Sequence, residues 1–128
     1  MTKIDVKIAS EYGIMFLYDA SIRPYFPSNA GEQCVTYTDT CIAFSVLSYV
    51  DGDANVVLME DESDITIGNE VFYGELLCPS KALSLFDTDG RGIVTLPLKK
   101  ESARISIRMS EDENPDLVEC LIEGIDSF

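Results

Sequence analysis

Cys41-Ile42-Ala43-Phe44-Ser45-Val46-Leu47-Ser48-Tyr49-Val50-Asp51-Gly52-Asp53-Ala54-Asn55-Val56-Val57-Leu58-Met59 carries the reading on which the fold class turns. Ile42, Phe44 and Val46 recur at a spacing of two, which places them on one face of an extended chain and not on one face of a helix. Asp51-Gly52 follows between two apolar runs, and glycine takes the positive φ that a tight hairpin turn needs. Cys41–Tyr49 and Ala54–Met59 are therefore expected to pair as a β-hairpin.

The same period extends outward. Ile4, Val6 and Ile8 alternate with Lys3, Asp5 and Lys7, giving a first strand with one wet face. The continuous apolar run from Gly13 to Asp19 predicts a more central strand. Residues 20–32 contain Pro24, Pro27, Asn29 and Gly31 and predict a long loop holding Tyr25 and Phe26. Further strands are expected at 34–38, 70–78, 81–86, 92–98, 103–109 and 117–125, with Pro97 at a strand end or edge because it cannot donate to a ladder. Asn114-Pro115 also marks a helix start, so Asp116–Ile125 reads as a short helix as readily as a strand. The expectation is all-β and mainly antiparallel: one domain over residues 1–128, a β-sandwich or open barrel of about eight to ten short strands, with a short C-terminal helix as the variant.

Charge narrows function more than pattern does. Nine Lys and Arg stand against 23 Asp and Glu, a formal charge of −14. Such a chain is repelled by phosphate backbones and anionic membranes, so neither nucleic acid nor membrane is an expected partner. Between Pro24 and Ser80 there are ten acidic residues and no basic one; Met109–Phe128 holds seven more and again none. The six basic residues between Lys81 and Arg108 separate the two acidic blocks. This unevenness is either a solvated surface or a field aimed at a basic partner.

Catalytic motifs are scarce. No His occurs, which removes Ser-His-Asp and Cys-His sites and imidazole proton shuttles. Cys34, Cys41, Cys78 and Cys120 show no C-x-x-C spacing and are expected as reduced core thiols in the cytoplasm, since Met1-Thr2-Lys3-Ile4-Asp5 lacks a signal peptide's apolar region. Asp51, Asp53, Asn55 and Glu62 match four ligand positions of an EF-hand loop, but Val56 stands where the loop requires glycine and the flanks read as strands. No metal, cofactor or catalytic residue is assigned. Glu60, Asp61, Glu62 and Asp64 place four carboxylates in five residues; as paired acids they would suit glycoside cleavage only in a cleft with stacking aromatics, and no Trp is present. Glu111-Asp112-Glu113 with Asp116 forms a second run of the same kind.

Ser10-x-Tyr12 with Phe16, the segment Asp39-x-Cys41-Ile42-Ala43-Phe44-Ser45, and Leu121-Ile122-Glu123-Gly124-Ile125 together resemble the small antiparallel β proteins typified by the bacterial competence nuclease inhibitor. The resemblance implies a protein that is not an enzyme and holds a nuclease inactive by direct binding. Toxin immunity proteins share the same physics. The expected function is an acidic inhibitor or immunity protein that binds a cationic enzyme, a nuclease or toxin, as a monomer or homodimer. Tyr49, Asp51, Asp53, Glu60, Asp61, Glu62 and Asp64 are its expected partner-binding residues. The alternative is a structural subunit that pairs through a β-edge, its acidity serving solubility.

Overall fold

The computed structural model describes residues 3–126, which fold into ten strands and one 3-10 turn. The strands are β1 (Lys3–Ile8), β2 (Ile14–Asp19), β3 (Val35–Tyr37), β4 (Cys41–Ser45), β5 (Ala54–Met59), β6 (Glu70–Leu77), β7 (Ala82–Asp87), β8 (Gly92–Pro97), β9 (Ser102–Met109) and β10 (Leu117–Glu123). They form two five-stranded sheets, ordered β1-β5-β10-β9-β6 and β3-β4-β2-β7-β8. Every described pairing between these strands is antiparallel except that of β10 with β5.

One core lies between the sheets. Met15, Leu17, Ile42, Phe44, Leu83 and Leu85 of the second sheet belong to it, with Val56, Leu58, Ile105, Ile107, Val118, Cys120 and Ile122 of the first. Each set recurs at a spacing of two, so the alternation in the sequence is the inward face of the sandwich. All four cysteines are free thiols. Burial pushes those of Cys41, Cys78 and Cys120 up to about 12, which leaves them inert as nucleophiles at neutral pH.

Two local expectations are corrected. Cys41–Tyr49 and Ala54–Met59 do not form a hairpin: β4 ends at Ser45 in the second sheet, while β5 belongs to the first. Residues 46–53 cross from one sheet to the other, because their backbone groups bond to other connections. Val46 N donates to Gly13 O, Leu47 N to Pro115 O and Tyr49 N to Ser10 O. The segment Asp116–Ile125 is not helical. Val118, Cys120 and Ile122 fill the core from the middle of the first sheet, and that demands a period of two.

Loops cover both outer faces. Phe26 of the 20–34 loop sets its ring edge-on to Phe16 (5.6 Å) and Tyr18 (5.4 Å), and Tyr18 stacks on Phe86 at 3.9 Å. Phe26 is thus used in packing the loop onto the second sheet. Residues 60–69 run as a strap over the outer face of the first sheet, from the end of β5 to the start of β6.

Candidate interaction site at the acidic end

Three connections are bonded to one another at one end of the sandwich, beside the β7–β8 turn that carries Asp89 and Arg91. Residues 9–13 join β1 to β2, residues 46–53 join β4 to β5, and residues 110–116 join β9 to β10. Backbone hydrogen bonds tie them together: Tyr49 N to Ser10 O at 2.7 Å, Leu47 N to Pro115 O at 2.8 Å, and Asn55 N at the start of β5 to Asp116 O at 2.8 Å. Gly13 makes the closest approach possible. At φ 68° a side chain is disfavoured there, and a Cβ would stand only 3.0 Å from Val46 O.

These connections contain seven carboxylates and no Lys or Arg: Glu11, Asp51, Asp53, Glu111, Asp112, Glu113 and Asp116, all exposed. Among them stand Tyr12, Tyr49 and Val50, which are 68%, 57% and 74% exposed. Large side chains left this open on hydrogen-bonded turns, ringed by acids, have the composition of a binding centre with a charged rim. Beside the 112–114 tip, a depression of about 590 Å³ adds Glu32, Gln33 and Cys34 to the same region.

The structure divides the seven residues expected from the sequence. Tyr49, Asp51 and Asp53 lie at this end. Glu60, Asp61, Glu62 and Asp64 follow the far end of β5, about 20 Å away along a six-residue strand. The register says the same: Ala54 faces Ile8, whereas Met59 faces Lys3. The second acidic run, Glu111–Asp116, takes the place beside Asp51 and Asp53, because β10 runs parallel to β5 and starts at the same end. The EF-hand spacing is likewise pulled apart, with Asp51 and Glu62 at opposite ends of β5.

The Glu60–Asp64 group begins the strap. Asp61 caps the 3-10 turn Glu62–Asp64, accepting a 2.9 Å bond from Ser63 N, and the bonds from Ser63 hold its carboxyl below the usual range. The strap is fastened by Glu119, a side chain sequence reading did not single out. It is only 3% exposed and accepts from Thr66 N (2.9 Å), Thr66 Oγ1 (2.7 Å) and Ile67 N (2.9 Å). Arg108, opposite it on β9, donates to Ile67 O and Gly68 O and meets Glu70 at 3.4 Å. Leu117 and Leu121 flank Glu119 on the outer side of β10. That apolar pattern on a nominally wet face was the available signal of a covering segment.

Replacing Glu119 by Ala is expected to cost about 2–4 kcal/mol in denaturant unfolding, since the three donors of Thr66 and Ile67 lose their acceptor. Hydrogen exchange at the Thr66 and Ile67 amides should accelerate more than exchange in the core of β9. Unchanged protection at those two amides would show that Glu119 does not hold the strap.

No family model matches this sequence, and no curated protein matches it. Two solved structures are similar along nearly the whole chain. One is ComJ from Bacillus subtilis, inhibitor of the DNA degrading activity of NucA, with a TM-score of 0.66 and 11% identity over 95% of this chain and 96% of that one. The other is described as crocagin biosynthetic gene J, with a TM-score of 0.51 and 13% identity over 94% of this chain and 95% of that one. The chain has the fold of a competence nuclease inhibitor, as the sequence resemblance implied.

Proposed function

We propose that this chain is a non-enzymatic inhibitor which binds a basic enzyme, a nuclease or toxin, through its acidic end. The observation that carries the reading is the gathering of Tyr12, Tyr49 and Val50 among seven carboxylates on three mutually bonded connections. A fold shared with an inhibitor of a DNA-degrading enzyme supports it.

The physics is direct. An enzyme that holds nucleic acid presents Lys and Arg to phosphates, and a rigid array of carboxylates competes for the same cations. Long-range attraction raises the encounter rate, while the exposed tyrosines, once covered by the partner, slow departure. Four free thiols, three of them buried, fit a cytoplasmic site of action.

The test is capture of the tagged protein from lysate of its own cells at low and high salt, followed by assay of any captured enzyme with added excess of the chain. One basic enzyme, released by salt and silenced at equal molar ratio, is the expected result. Recovery of a partner whose activity the chain leaves untouched would overturn inhibition, as would recovery of the bait alone.

A further inference from the structure

We propose that two copies of this chain pair through the free edge of β1, joining their first sheets into one ten-stranded sheet. This goes beyond the inhibitor reading and uses a different surface, leaving the acidic end open. Among the described strands β1 pairs only with β5, so its other edge presents unsatisfied backbone groups. The remaining edges are poorer templates. The strand β3 has three residues, β8 carries a register shift and ends in Pro97, and β6 carries a register shift between Glu70 and Phe72.

The sequence of β1 selects the occupant. Lys3, Asp5 and Lys7 are exposed on the outer face, while Ile4 and Val6 on the inner face are half-buried beside buried Ile8. A two-fold axis perpendicular to the sheet pairs residues of the same face, so only some registers are open. Centring on Asp5 sets Asp5 on Asp5 and Lys3 on Lys7; centring on Lys7 sets Lys7 on Lys7. Both place like charges opposite each other. A centre at Ile4 overlaps only residues 3–5 of the described strand. Centring on Val6 instead places Asp5 opposite Lys7 twice, Ile4 opposite Ile8 twice, and Val6 on itself. Charge and apolar faces are then both satisfied. The molecule as a whole, at −14, repels its copy, whereas this edge carries one net positive charge.

Sedimentation of the full chain at increasing concentration tests the pairing, with three variants. The parent is expected to be a dimer. Lys7→Asp sets Asp opposite Asp twice and Asp5→Lys sets Lys opposite Lys twice; each should weaken dimerisation by about tenfold or more. The double variant Asp5→Lys/Lys7→Asp restores both pairs and should dimerise again. All three residues of this outer face are exposed, so folding should be retained in each variant, with circular dichroism as the check. A parent that stays monomeric overturns the proposal; so do single variants that dimerise like the parent, or a double variant that fails to recover. Enzyme capture at the acidic end is read separately and does not depend on the result.

Discussion

Neutralising Asp51, Asp53, Glu111 and Asp116 together, by Asn or Gln, is expected to slow association with the basic partner by about 10- to 100-fold at low salt. The four lie on two connections bonded to each other through Asn55 and Leu47, so their fields add at one end of the sandwich. The dependence of the rate on ionic strength should flatten in the same variant, because screening acts on the charges removed. The matched variant at Glu60, Asp61, Glu62 and Asp64 removes as many charges from the far end of β5. It should change the rate by only a few-fold, through net charge alone. Tyr49→Ala, in contrast, should leave association nearly untouched and speed dissociation, at a cost of about 2 kcal/mol. Stopped-flow mixing separates these outcomes. A larger effect from the Glu60–Asp64 variant would move the interface to the strap.

The second large effect concerns Asp19, at the end of β2 and only 4% exposed. One carboxylate joins two connections: Ser21 N (2.7 Å) and Ile22 N (3.0 Å) at the start of the long loop, and Ser80 N (2.8 Å) and Ser80 Oγ (2.6 Å) between β6 and β7. Burial alone would raise its pKa, but the bonds from Ser80, Ser21 and Ile22 outweigh burial and leave it lowered. Asp19→Ala is expected to cost about 2–4 kcal/mol, because the donors lose a charged acceptor. The pH dependence has a definite direction. With the folded pKa below the unfolded one, the contribution is complete above the unfolded value and fades as pH falls through the folded one. Acid titration of unfolding should therefore show the parent losing stability below about pH 4 more steeply than the variant does. Parallel curves would mean that Asp19 is not the group that senses acid.

Legibility from sequence followed the range of the forces involved. Alternation at Ile4, Val6 and Ile8, or at Val118, Cys120 and Ile122, is a local consequence of one buried face, and the strands sit where it places them. What failed was pairing. Asp51-Gly52 has the composition of a hairpin turn, yet the partner of each flanking strand is decided by the whole core; β5 pairs with β1 and β10, and β4 with β2 and β3. The site divided for the same reason. Acids that are neighbours in the sequence suggest one surface, whereas a six-residue strand separates them and a parallel neighbour brings Glu111–Asp116 from the other acidic block. Glu119 and Asp19 are unreadable as fastenings between segments because Thr66, Ile67 and Ser80, the distant donors they hold, lie 53, 52 and 61 residues away.

The strand β10 is tenth in chain order but third of five in its sheet, flanked by β5 and β9. During synthesis the two halves of that sheet, β1 with β5 and β6 with β9, must wait with facing edges unpaired until Glu123 has left the ribosome. Such an arrangement folds slowly, since its closing contacts span the sequence. Nascent chains at this stage are the ones most prone to stick to each other, and the charge they already carry keeps them apart. The acidity that we propose meets a partner in the finished molecule thus has an earlier task, guarding the chain while its keystone strand is still being made.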